Sequence, residues 1–241
     1  MNSLKKCFSF DNEELKNLIA TSLILGFIAS FRDWGVDEFS FLMGINNFVS
    51  STLIVSLAII AHLFIQRLIA LKKGYRIDYK RWNIGLIIGL VLAILSNGFV
   101  MLLAIGGIVI HKVKNKEMGV FRGGLRYDDL ALISFFGPLT NIVLAIFFKT
   151  LTFLPNTALI DKLVIINIWI ALFTMLPIPP MAGVNIFYFS RSFYLIAIVM
   201  FVIIAVLLQA TAALTAIIGS IFVLGLFLIL LNVIIAMGKW N

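Results

Sequence analysis

The polar residues His62 and Gln66 lie four positions apart inside the apolar segment 57–71. On a helix this spacing places both side chains on one face. Zinc hydrolases with a His-Glu-x-x-His motif use the same spacing for two imidazole ligands, and the glutamate beside the first histidine is the general base. Here Leu63 occupies the glutamate position and Gln66 the second histidine position. The segment therefore predicts a helix with the spacing of a metal-binding helix, in which His62 supplies one imidazole.

The composition of the chain indicates an integral membrane protein. Hydrophobic residues make up 62% of its 241 residues, and the mean hydropathy is +1.11. A soluble domain of this length cannot bury so much apolar surface. The formal net charge is +8, but the basic residues lie between the apolar runs. This placement favours membrane orientation and contact with anionic lipid at the cytoplasmic face, and no nucleic-acid binding.

The apolar runs predict an all-α polytopic membrane protein with six transmembrane helices and one re-entrant segment. Runs of about 18 or more nearly uncharged residues are long enough to cross a bilayer. We expect spanning helices over residues 15–31, 41 or 45 to 71, 129–148, 163–176, 192–208 and 214–237. A basic start before a short apolar run also describes a signal peptide. Because no small-residue cleavage site follows, a retained anchor helix is favoured.

The re-entrant prediction concerns residues 84–110, which lie between two basic clusters. The first cluster is Arg67, Lys72, Lys73, Arg76, Lys80 and Arg81, and the second is Lys112, Lys114, Lys116, Arg122 and Arg126. Excess Lys and Arg marks the cytoplasmic side, so both clusters are inside only if the stretch enters and returns on one side. The breaks at 97–98 and 106–107 suit such a path. Both termini of this multi-pass cell membrane protein are then cytoplasmic.

Three separated motifs carry a resemblance to a known family. They are His62 to Arg67 with the basic exit Ala70 to Arg76, Phe136 to Asn141 with its Gly-Pro-Leu-x-Asn pattern, and Leu172 to Gly183 with its Pro-x-Pro-Pro pattern. The chain resembles the intramembrane site-2 protease family of zinc metalloproteases, in its short archaeal-type form. The resemblance covers roughly residues 50–195. It implies one integral membrane domain over 1–241, with a protease-like core over about 45–195 and two C-terminal helices over about 192–237.

The resemblance also implies where the family's site residues fall. The zinc ligands of the family correspond to His62, Gln66 and Ala182, the catalytic glutamate to Leu63, and the asparagine of the proline motif to Thr174. Alanine has no donor atom, an amide oxygen is a poor zinc ligand, and leucine cannot act as a base. We therefore expect no cofactor and no enzymatic activity, that is, a pseudoprotease.

Several functions remain open on the sequence alone. The first is an inactive scaffold that binds a transmembrane helix client or partner membrane subunits through a polar lining of His62, Gln66, Asn141 and Thr174. The second is an active metalloprotease with unusual ligands, for which His111 and Cys7 are the other donors. The third is a transporter or channel subunit, against which the scarcity of intramembrane charge argues. A lone histidine on a helix face is also, in the plainest interpretation, a hydrogen-bonded packing residue.

Overall fold

The computed structural model describes residues 11–34, 39–112 and 126–236, with side chains to residue 230. The described residues form eight helices and two strands. In chain order they are α1 (Asn12–Ser30), α2 (Phe41–Lys72), β1 (Tyr75–Lys80), α3 (Asn83–Leu95), β2 (Gly107–Lys112), α4 (Tyr127–Thr150), α5 (Thr157–Thr174), α6 (Ala182–Phe189), α7 (Arg191–Ala210) and α8 (Ala213–Ala236). Cys7, Lys114, Lys116, Arg122 and both chain termini lie outside the described residues, so the predictions that rest on them remain predictions.

Five of these helices are long and apolar enough to cross a membrane: α2, α4, α5, α7 and α8. The prediction of a mostly helical, multi-pass membrane protein is therefore confirmed. Six spans are not confirmed, because α1 is not among the five. The first turn of this 19-residue helix contains Glu13 and Glu14, and Lys16 follows. These charges lower its apolar character. The division into a core over 45–195 and two C-terminal helices stays a prediction.

The bounds of two predicted helices differ from those observed. The fourth predicted helix starts earlier, at Thr157, because the Asn156 side chain accepts a hydrogen bond from the backbone N–H of Leu159 and caps it. Ala182–Phe189, for which no helix was predicted, form a separate short helix, α6, and α7 starts after it with Ser190 as its cap. Ser190 is extended, with φ −155°, which separates the two helices.

A two-stranded antiparallel sheet follows α2 and was not predicted. Its register runs from Tyr75 opposite Lys112 to Lys80 opposite Gly107. In β1 the side chains of Tyr75, Ile77 and Tyr79 are buried, while the residues between them face outward. This alternation is the period of a half-buried strand. The sequence prediction assigned β1 to a basic loop and β2 to the end of the re-entrant stretch.

The pairing of Lys80 with Gly107 means that the segment 81–106 leaves the sheet and returns to the same place. Its helix α3 has 13 residues, whereas crossing the bilayer core takes about 20. The return is made at Gly106, whose φ of 116° favours glycine. A Cβ there would lie 2.6 Å from the carbonyl oxygen of Lys80. Whether this segment enters the membrane stays a prediction.

The sheet leads to a topology prediction. In a Cys7→Ser background, the variants Lys73→Cys and His111→Cys are expected to react with an impermeant thiol reagent from the same side of the membrane. Both side chains are exposed, and β1 and β2 form one sheet. Labelling from opposite sides would contradict the strand pairing and would require residues 84–110 to cross the membrane.

The apolar core has two large parts that share α5. One contains buried side chains of α4, α5, α6, α7 and α8, among them Phe135, Ile168 and Phe201. The other contains side chains of α1, α2, α3 and α5, among them Ile59 and Ile170. Ile168 and Ile170 are both fully buried on opposite sides of α5. Because α5 is packed on both sides, the position of its C-terminal end is fixed.

A buried ion pair ties α1 to α2 and to the sheet. Both carboxylate oxygens of Glu14 lie 2.8 Å from Nη2 of Arg67, and the backbone N–H of Tyr79 donates to Glu14 Oε1 at 2.6 Å. The Tyr79 hydroxyl lies 2.8 Å from Thr21 Oγ1 and also donates to the carbonyl oxygen of Ile105. Burial raises the pKa of this phenol, so it remains a hydrogen-bond donor. These contacts fix the position of β1 against α1 and α2.

Candidate functional site

A pocket lies where α2, the sheet, the end of α5 and the start of α6 meet. It is lined by the five positions that the family resemblance assigned to the site, together with Tyr79, residues 105–108, Pro180 and Asn185. The five positions are His62, Leu63, Gln66, Thr174 and Ala182. The fold therefore brings residues that are 120 positions apart in the chain to one place. Their roles are not tested by this proximity.

Asn141, the remaining predicted lining residue, lies behind the wall rather than on it. It is fully buried on α4, close to the His62 side chain. On α4 the residues Ser134, Gly137 and Asn141 are spaced by three and four positions, so they share one face. This face of α4 and the His62–Gln66 face of α2 form a polar seam between the two helices.

Gly137 allows α2 and α4, the two helices of the polar seam, to approach each other closely. A Cβ at this position would lie 2.3 Å from His62 Nε2 and 2.5 Å from Gln66 Nε2. Any larger residue would therefore have to displace both side chains. The glycine of the Gly-Pro motif is explained by this contact.

Pro138 leaves a backbone carbonyl oxygen of α4 free to accept a hydrogen bond from Gln66. It lies inside α4, and because proline has no N–H, the carbonyl oxygen of Ser134, four residues earlier, has no helical donor. Gln66 Nε2 donates to this carbonyl at 3.4 Å. The amide nitrogen of Gln66 thus faces α4, and its Oε1 remains as an acceptor.

Four polar atoms of the polar seam make no hydrogen bond of standard geometry within residues 11–34, 39–112 and 126–230, although the His62 imidazole and the Asn141 amide interact with each other. They are His62 Nδ1, Gln66 Oε1 and both side-chain atoms of Asn141. The plain interpretation of His62 expected a bond to Gln66, Thr174 or a backbone carbonyl, and its Nδ1 makes none of these. A buried polar atom without a partner is destabilising by about 1–3 kcal/mol. The polar seam is therefore a place where a polar occupant is stabilised.

Thr174 contributes little polarity to the pocket. Its hydroxyl donates to the carbonyl oxygens of Ile170 and Ala171, at 2.8 and 3.0 Å, within its own helix. After it the proline segment turns into α6, and the turn is tightly packed. A Cβ on Gly183 would lie 2.0 Å from the carbonyl oxygen of Met175, and one on Gly107 would lie 2.2 Å from that of Pro180. This packing sets where α6 begins and presents Ala182 to the pocket.

Asn185 is a lining residue that the sequence reasoning missed. It follows Ala182 by three positions on α6, so both lie on one face. Its Nδ2 donates to Ser134 Oγ at 2.8 Å. The helical spacing from Ala182 was the available signal, but the family motif ended at Gly183. Tyr79 and residues 105–108 were missed because the sheet was not predicted.

The donors near the pocket do not match the set that zinc prefers. Catalytic zinc takes three ligands from histidine, cysteine, aspartate and glutamate. Among the residues that the structure describes, no group of three or more such side chains could hold a metal ion. The pocket offers the His62 imidazole together with amide groups. His111, considered as a substitute ligand, lies instead on the outer face of the sheet, 3.2 Å from Asp78.

Comparison with known proteins gives one informative similarity. The chain is 30% identical over 181 residues to a protein of Methanocaldococcus jannaschii named "Putative zinc metalloprotease", covering 73% of this chain and 84% of the relative. No family model matches the chain, and no solved structure matches it.

This similarity corrects one prediction. The substitutions at Leu63, Gln66 and Ala182 led to the expectation that the chain is not an enzyme. That prediction is wrong, because a relative aligned over most of both chains is named as a zinc metalloprotease, which points to an enzyme. The expectation of no cofactor is not tested.

Proposed function

Because the chain belongs to the site-2-protease-like family of zinc metalloproteases, we propose that it acts on the transmembrane segments of other proteins by binding an unwound stretch of such a segment in its pocket. The observation that carries this proposal is the polar seam, in which the buried Gln66 Oε1 has no partner among the described residues and the buried His62 imidazole lies against the Asn141 amide. The seam lies next to a pocket whose other walls are largely apolar.

The chemistry of a peptide group fits this seam. Each peptide group has one N–H donor and one C=O acceptor. In a bilayer both must be bonded, so a membrane helix that unwinds needs substitute partners from protein. Gln66 and His62 both line the pocket; Gln66 Oε1 can accept an N–H, and a neutral imidazole offers one donor and one acceptor. The apolar surfaces of Leu63 and Ala182 contact side chains of the same segment.

Peptide-bond hydrolysis of the bound segment is the second candidate. It is favoured by the name of the Methanocaldococcus jannaschii relative. No observation favours a transporter or channel. Partner membrane subunits remain an alternative occupant of the same surfaces.

A contact with anionic lipid accompanies the proposal. The exposed residues Lys72 and Lys73 lie at the junction of α2 with the sheet, and the exposed residues Lys80 and Arg81 lie at the other end of β1. Juxtamembrane basic residues attract anionic headgroups by about 1 kcal/mol each. We propose that this end of the molecule faces the cytoplasm.

The binding proposal is tested by photo-crosslinking. A model transmembrane peptide with a photoreactive residue at successive positions is incubated with the protein in nanodiscs, and the attachment sites are mapped. We expect attachment near Gln66 and Asn185, and about fivefold weaker crosslinking for Gln66→Met, which removes one hydrogen bond of about 1 kcal/mol.

Leu57→Met is the matched control for Gln66→Met. Leu57 lies on the same helix and is half exposed, so its variant should crosslink like the wild type. Equal crosslinking by Gln66→Met, or attachment only to lipid-facing residues, would refute binding in the pocket. The same samples are analysed by mass spectrometry, where peptide products that increase with time would establish hydrolysis.

A further inference from the structure

We propose that Asn185 is a positioning residue whose side-chain oxygen accepts a hydrogen bond from a backbone N–H of the bound segment. This inference rests on the proposed function. Asn185 lines the pocket, and its side chain is partly exposed there. It belongs to neither the predicted site nor the family motif, and it faces the pocket from α6, opposite the His62–Gln66 face of α2.

Ser134 fixes the orientation of the Asn185 amide. Asn185 Nδ2 donates to Ser134 Oγ at 2.8 Å, and Ser134 is fully buried on α4. With its nitrogen bonded to the wall, the amide has its Oδ1 left for the pocket. An amide oxygen has two lone pairs and accepts only. The Asn185 side-chain oxygen thus favours a hydrogen-bond donor, and not an acceptor, on the bound segment.

Ser134 fixes the second amide of the pocket in the same way. Its carbonyl oxygen accepts from Gln66 Nε2 at 3.4 Å, and Gln66 Oε1 is a buried acceptor without a partner within the described part of the chain. One residue of α4 therefore orients two amides from α2 and α6. Both direct their nitrogen to α4 and keep their oxygen for an occupant.

Two oriented acceptors favour one backbone conformation of the bound segment as well as one position. In an intact helix the backbone N–H groups are bonded to carbonyl oxygens four residues earlier. Asn185 and Gln66 can accept only N–H groups that have lost these bonds. The pair therefore favours an unwound segment over a helical one, whatever side chains the segment carries.

The test replaces single backbone amides of the model transmembrane peptide with esters, which removes one N–H and changes little else. Dissociation constants are measured in nanodiscs for the wild type, Asn185→Leu, Asn185→Asp and Tyr188→Leu. Tyr188 is exposed on the same helix and is the matched control. Circular dichroism verifies that each variant is folded.

We expect two ester positions, one opposite Gln66 and one opposite Asn185, each to weaken binding to the wild type and to Tyr188→Leu by about fivefold, the effect of one hydrogen bond. For Asn185→Leu the penalty opposite Gln66 should remain. At the position opposite Asn185 the ester and amide peptides should bind equally to this variant, and both should bind like that ester peptide to the wild type. Asn185→Asp keeps an acceptor oxygen and should retain an ester penalty.

Two results would overturn the inference alone: no ester position at which Asn185→Leu removes the penalty seen in the wild type, or no penalty at any position in the wild type. If the wild type does not bind the amide peptide at all, the proposed function is refuted together with this inference.

Discussion

Glu14→Ala is expected to lower the free energy of unfolding by about 3–5 kcal/mol, because it breaks a buried ion pair and leaves Arg67 without this carboxylate. Glu14 and Arg67 are 5% and 3% exposed, so water cannot replace the lost contact. The backbone N–H of Tyr79 loses its acceptor at the same time. Denaturant titration in detergent micelles measures the change.

Glu13→Ala is the matched control for this variant. Glu13 lies in the same first turn of α1 but is exposed, so its loss should change stability by less than about 0.5 kcal/mol. The double variant Glu14→Leu, Arg67→Met should recover part of the loss, since an apolar pair of similar volume can replace buried charges. A loss in Glu14→Ala no larger than in Glu13→Ala would mean that the ion pair contributes nothing.

Gly137→Ala is expected to destabilise the protein by about 1–3 kcal/mol and to abolish peptide binding in the pocket. The added methyl group would overlap His62 Nε2 and Gln66 Nε2, and overpacking of a tight contact has this magnitude. Moving Gln66 also breaks its bond to the Ser134 carbonyl. Thermal unfolding and the crosslinking assay report the two effects separately.

Gly225→Ala is the control for Gly137→Ala. Gly225 lies inside α8, and a Cβ there meets nothing within 4 Å. The same substitution should therefore stabilise the protein by about 0.5–1 kcal/mol through helix propensity. A Gly137→Ala variant as stable as Gly225→Ala would show that α2 and α4 can separate freely.

Local spacing in the sequence predicted that His62 and Gln66 share one face of α2, because helical periodicity is a local property. Thr174 and Ala182 were placed with them by the family resemblance, and all four line one pocket. The roles of these residues stay a prediction. The prediction about activity used the same positions and was wrong, since the residue types at three positions do not by themselves define what the pocket does.

Long-range contacts could not be predicted in this way. The register that pairs Lys80 with Gly107 depends on the path of the segment between them, and the bond from Asn185 to Ser134 joins residues 51 positions apart. The alternation of Tyr75, Ile77 and Tyr79 did signal a strand. This signal was not used, because the adjacent basic residues were interpreted only as a mark of membrane orientation.

The ion pair between Glu14 and Arg67 also constrains how the chain is assembled as it leaves the ribosome. Arg67 follows Glu14 by 53 residues, so α1 is synthesised long before its cationic partner exists. The buried contact between α1 and α2 can therefore form only after both helices have been synthesised. In this order of biogenesis the N-terminal helix is made first and reaches its final place only after the second helix is complete.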